Sequence, residues 1–121
     1  MPLASQLLTA LVALLHLYFL VLEMFLWATP FGRKTFGRSI EEQNATRVLA
    51  ANQGLYNGFL AAGLAWSLFA SDAMASSLRL FFLGCVVVAG VYGAATASRK
   101  ILFVQALPGA TALLVTLLAR A

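Results

Sequence analysis

A chain of 121 residues with 62% hydrophobic and only 10% charged residues is too apolar for an ordinary soluble domain, where about a quarter of the residues are charged. The net charge of +4 has the sign that nucleic acid would attract, but the basic residues are few and lie between apolar segments, as membrane-flanking residues do. The length suits a single domain over residues 1–121, no nucleic-acid partner is expected, and the bilayer is the expected surrounding.

Four apolar segments follow one another, at about residues 3–29, 40–70, 78–98 and 101–119. Each approaches the roughly 20 residues that a helix needs to cross a bilayer. Backbone groups in lipid must bond within their own segment, so helices are expected. The first segment has no basic n-region, is long, and contains His16 and Glu23, so it reads as a retained helix rather than a cleaved leader. Pro30 and Gly32 are expected to stop it. The connection from Pro30 to Arg47 is long and charged, and Ser39 followed by Glu42 fits a capping box that would start the second helix near Ile40. Ser71 to Ser77 reads as a short turn, and Arg99-Lys100 as a very tight one. Asn44-Ala45-Thr46 matches a glycosylation sequon, but it falls in a loop expected in the cytoplasm and is read as chance.

Orientation follows from counting Lys and Arg. The first and third connections hold Arg33, Lys34, Arg38, Arg47, Arg99 and Lys100, and the opposite side holds only Arg79 and Arg120. Six against two places those connections in the cytoplasm and both termini on the non-cytoplasmic side. The fold expected is therefore all-α: a polytopic bundle of four transmembrane helices in a bacterial cytoplasmic membrane.

The polar residues inside the apolar segments are the candidate site. Glu23 lies roughly 9 Å above the cytoplasmic end of the first helix and His16 roughly 10 Å deeper. Seven residues is almost two turns, so one stripe reads Thr9, His16, Glu23, Trp27. Asn52, Gln53, Tyr56 and Asn57 enter with the second helix, Tyr92 with the third and Gln105 with the fourth, all toward the cytoplasmic side. A polar pocket open to the cytoplasm is expected, lined by these residues. A charge at a helix centre costs about 2.5–3.5 kcal/mol on insertion scales, and such residues usually serve a function. The lone histidine has no company for a metal, and no glycine pattern follows a strand, so neither a metal nor a cofactor is expected. Cys85 reads as a small buried hydrophobe. Gly54 and Gly58 in the second helix, and Ala89, Gly93 and Ala97 in the third, are spaced for close helix contact.

Two stretches carry a resemblance. The first is His16, Tyr18, Glu23, Met24, Phe25, Trp27, Pro30, Gly32 and Phe36; the second is Asn52, Gln53, Gly54, Tyr56, Asn57, Phe59, Leu60 and Ala61. They resemble the motifs of a family of small bacterial integral membrane proteins catalogued as domain of unknown function 1304. The resemblance implies a four-helix membrane protein and brings no known activity.

Three classes of function remain open from sequence. One is a small transporter or ligand-binding membrane protein, with a small-molecule or lipid ligand and a homo-oligomer to complete a pathway. The second is a membrane enzyme on a lipid-like substrate, with Glu23 and His16 as acid and base. The third is an accessory subunit whose polar residues only knit the bundle together.

Overall fold

A computed structural model describes residues 2–120. Among them there is no strand; the chain is helical, with α1 at Leu3–Met24, α2 at Pro30–Phe36, α3 at Ile40–Ala45, α4 at Arg47–Phe69, α5 at Asp72–Thr96 and α6 at Leu107–Arg120. A π-helical turn, Leu102–Ala106, leads into α6.

Three helical stretches are long and apolar enough to cross a membrane: Leu3–Met24, Asp72–Thr96 and Leu102–Arg120. At 23 residues α4 is also long enough, but it is not among them, because Asn52, Gln53 and Asn57 make its first half polar. The outward face of α1 carries Leu3, Leu7, Leu11 and Leu14, all exposed, while Ser5, Thr9, Val12 and His16 on the opposite stripe are buried. This is the sidedness of a helix whose outer surface meets an apolar surrounding.

The helix boundaries differ from the sequence expectation in several places, each for a local reason. First, α1 ends at Met24, not near Thr29. The Val21 carbonyl accepts from both Phe25 and Leu26, at 3.0 and 3.2 Å, which closes the last turn. Thr29 is then an N-cap: its Oγ1 accepts from Gly32 N, and Pro30 takes the first helical position, where its missing N–H costs nothing. Pro30 therefore starts α2 instead of ending α1. Second, Ser71–Ser77 is not a turn. The linker shrinks to Ala70 and Ser71, and α5 begins at Asp72, an acid placed well against the helix dipole.

Ser39 does form the capping box, accepting from Glu42 N while the Glu42 carboxylate accepts from Ser39 N. The helix it starts is short: Thr46 separates α3 from α4, with its hydroxyl donating back to the Glu42 carbonyl at 2.8 Å. The π-turn has a cause in Pro108. A proline lacks the N–H for its own helical bond and its ring crowds the carbonyl four residues earlier, here that of Val104. The wide turn, closed by Leu107 N to the Leu102 carbonyl, relieves that crowding.

The chain packs as two compact units. One comprises α1 as far as Leu15 together with the chain from Leu60 onward; the other is His16–Phe59. The core of the first is Val12, Leu64, Leu83, Val86 and Ala112, drawn from α1, α4, α5 and α6, with Leu8, Leu60, Phe82 and Leu113 around them. Small residues let its helices meet closely: a Cβ on Gly90 would lie 2.6 Å from Ala106 N, and one on Gly109 2.6 Å from Val86 Cγ1. In the second unit, a Cβ on Gly54 would lie 2.7 Å from Met24 Cγ, and one on Gly58 2.7 Å from Leu20 Cδ1. Gly54, Gly58 and Gly93 thus make the close contacts their spacing suggests, whereas Ala89 and Ala97 are exposed.

Candidate functional site

In the unit His16–Phe59, the glycines decide which polar groups meet. Gly54 and Gly58 bring α4 against Leu20, Glu23 and Met24 of α1. Asn57 lies on the same face of α4, three residues from one glycine and one from the other. Its Nδ2 donates to Glu23 Oε1 at 2.5 Å. Asn57 is buried and Glu23 half-buried, so the carboxylate has one fixed partner and a side still reachable.

Trp27 is buried a turn beyond Glu23 and organises the segment that follows. Its Nε1 donates to Thr46 Oγ1 at 3.0 Å, and its carbonyl accepts from Gln43 Nε2 at 2.7 Å. The Phe36 ring packs 4.6 Å from the indole, and the Arg38 guanidinium lies 6.0 Å from the ring centroid, a cation–π distance. Gly32 is required here, because a Cβ would run into the Leu26 and Trp27 carbonyls. Gln43 is fully buried and its Oε1 has no hydrogen-bond partner, a role that sequence reading did not assign to it.

The other expected site residues are distributed differently. His16 is fully buried, with its ring 5.2 Å from that of Phe19 in an edge arrangement. Asn52, Gln53 and Tyr56 are exposed, the last packing edge-on against Phe59. Tyr92, exposed on α5, and Gln105, half-buried in the π-turn, belong to the other unit. Tyr92 shares an open apolar groove along α5 with Leu80, Phe81, Gly84 and the half-buried Cys85. Of the nine residues expected to line a pocket, the hydrogen bonds above join Glu23 to Asn57, while Trp27 forms its own cluster.

A second polar cluster lies in the unit that holds the apolar core. Arg79, counted in the sequence among the basic residues of the non-cytoplasmic side, is fully buried, because α5 starts at Asp72 and Arg79 therefore sits two turns inside the helix. Its Nε donates to Ser67 Oγ at 3.3 Å, Nη1 to Ser5 Oγ at 3.1 Å and Nη2 to the Ser67 carbonyl at 3.4 Å. Ser5 Oγ is 2.8 Å from Thr116 Oγ1. Four helices, α1, α4, α5 and α6, thus each place one polar side chain in the cluster, and all four are buried. Two signals were present in the sequence: Ser67 and Thr116 as isolated hydroxyls in apolar runs, and Arg79 seven residues after Asp72. Among the described residues, no group of three or more His, Cys, Asp or Glu is placed to hold a metal ion.

Helices of membrane-crossing length and apolarity, joined by buried polar side chains, define the class: an all-helical protein with the segments of an integral membrane protein. The chain belongs to the family described as "Protein of unknown function (DUF1304)", which matches residues 10–117. It is 33% identical over 107 residues to "Uncharacterized protein YpaA" of Lactococcus lactis subsp. lactis (strain IL1403), covering 87% of this chain and 89% of that protein. No solved structure matches it.

Proposed function

We propose that this is a multi-pass protein of the bacterial cytoplasmic membrane that binds or transports a small polar or amphipathic ligand, with Glu23 as the recognising group. The observation that carries this reading is the half-buried carboxylate in an apolar helix, held by Asn57 and left accessible on its other side. Ionisable residues in membrane helices are expensive and mark ligand and ion pathways by default. His16, on the same stripe of α1, and Trp27 below it are the further ligand contacts in this reading, with the exposed Asn52, Gln53 and Tyr56 at the cytoplasmic mouth.

The proposed topology has four crossings, with α4 as the fourth. A helix of 23 residues spans about 35 Å, and pairing of Asn57 with Glu23 offsets part of the cost of its polar half. The excess of Lys and Arg in the first and third connections supports a cytoplasmic position for them and a non-cytoplasmic one for both termini. The exposed groove on α5 suits a second copy that would complete a pathway.

One observation favours a structural reading instead. The Arg79 cluster ties hydroxyls of α1, α4 and α6 to α5, which is what a residue retained for assembly would do. Native mass spectrometry of the protein purified in mild detergent, beside Glu23→Gln, separates the two. A co-purified small molecule lost in the variant supports ligand binding at Glu23; no bound species in either form supports the structural role.

A further inference from the structure

We infer that Arg79 binds a small monovalent anion, of the size and charge of chloride, at the buried cluster it forms with Ser5, Ser67 and Thr116. A guanidinium carries five N–H groups and keeps its charge under all ordinary conditions. Three of them are used, on Ser67 Oγ, Ser5 Oγ and the Ser67 carbonyl, all neutral oxygens.

The hydroxyl protons are committed as well. The Ser67 hydroxyl donates to the Leu64 carbonyl at 2.6 Å, and that of Thr116 to the Ala112 carbonyl at 2.8 Å. With its own proton spent, Thr116 Oγ1 accepts from Ser5, which in turn accepts from Arg79. The cluster is therefore a directed chain running away from the guanidinium. It leaves two N–H donors on Arg79 and a buried positive charge.

Thr9 follows Ser5 by one helical turn on the same face of α1, is fully buried, and its hydroxyl has no hydrogen-bond partner. Ser76, one turn before Arg79 on α5, likewise has a buried hydroxyl with no partner. A buried charge is stabilised by a partner of opposite sign, and unpaired buried polar groups are costly. Asp72, the acid whose charge acts on Arg79, is exposed in the first turn of α5, so the guanidinium donors that remain lie in the buried cluster itself. A positive charge with N–H and O–H donors to spare is the chemistry of an anion receptor. Arg79, Ser5, Ser67, Thr9 and Thr116 are all at most 1% exposed, so the enclosure favours a monatomic anion over a larger oxyanion.

The test is the thermal midpoint of the full chain in mild detergent, as sodium chloride replaces sodium gluconate at constant ionic strength. The expected result is a saturable rise with chloride. Thr9→Val, close in shape but without the hydroxyl, should need about tenfold more chloride for half the rise; Thr9→Ser should respond like the parent, and Arg79→Gln should not respond. Equal midpoints in chloride and gluconate for the parent overturn the proposal. So does a parental response in either Thr9→Val or Arg79→Gln, which would mean an adventitious ion only. If Arg79→Gln does not fold, Thr9→Val decides alone. Ligand loss in Glu23→Gln bears only on the function proposed above, so the two can fail separately.

Discussion

Asn57 and Glu23, 34 residues apart in sequence, share a hydrogen bond because Gly54 and Gly58 let α4 lie directly on α1. The pair is a product of backbone proximity before it is a product of polarity. Asn57→Ala should therefore destabilise the protein by about 0.5–1.5 kcal/mol, the usual net contribution of a hydrogen bond. Glu23→Gln keeps an acceptor oxygen and should cost less. In a double-mutant cycle read by denaturant unfolding in detergent, additive losses would show that the pair is not coupled.

The glycines themselves can be weighed. A methyl at Gly54 would meet Met24 Cγ at 2.7 Å and Glu23 Cβ at 3.1 Å. Gly54→Ala should cost about 1–3 kcal/mol by overpacking. Gly84 on α5 has nothing within 4 Å of an added Cβ, so Gly84→Ala should be neutral or stabilising by up to about 1 kcal/mol. Similar melting behaviour for both variants would contradict the packing described for α1 and α4.

The Arg79 cluster predicts an inverted order of mutational cost. Ser67→Ala removes an acceptor from a buried charge and should destabilise by about 1–3 kcal/mol. Arg79→Met removes the charge and keeps most of the volume, and because its hydrogen-bond partners are neutral oxygens no charged partner of those bonds is stranded, so it should cost less than Ser67→Ala. The ranking of the two unfolding midpoints, measured in gluconate, checks this; greater loss in Arg79→Met would refute it.

Ser39→Ala should release the capping box at the start of α3 and cost about 1 kcal/mol. The effect should be local. Hydrogen exchange of the first amides of α3 should quicken, while that of α5 stays unchanged.

The features legible in sequence are those that depend on near neighbours. Ser39 and Glu42 are three residues apart, and their capping box is readable directly. The buried stripe of α1 is readable too, because Thr9 and His16 recur at helical spacing between leucines. Pro30 was ambiguous in a way composition does not resolve: proline ends one helix and begins another equally well, and the Thr29 cap decides between them. Arg79 was obscured by the boundary of its helix. With α5 assumed to begin near Leu78, an arginine at its second residue reads as an interfacial anchor; with α5 beginning at Asp72, the same residue is interior. Its partners Ser5, Ser67 and Thr116 lie 74, 12 and 37 positions away, so no local pattern links them. Asn52, Gln53 and Tyr56 show the converse. Their polarity suggested a shared lining with Asn57, but one helix turns its side chains around the full circle, and only Asn57 lies on the glycine face.

The wide turn at Leu102–Ala106 bears on how the chain tolerates changes in length. One residue added to a regular helix rotates everything after it by about 100°. A π-turn absorbs such a residue locally, so Gly109, Ala112 and Thr116 keep their orientation toward the interior. Removal of a single residue from this turn should tighten it toward an α-turn and leave that face in register, at the cost of renewed crowding by Pro108. The same deletion in the middle of α5 would swing Arg79 or its core neighbours out of alignment. Insertions and deletions among relatives should accordingly collect just before the proline.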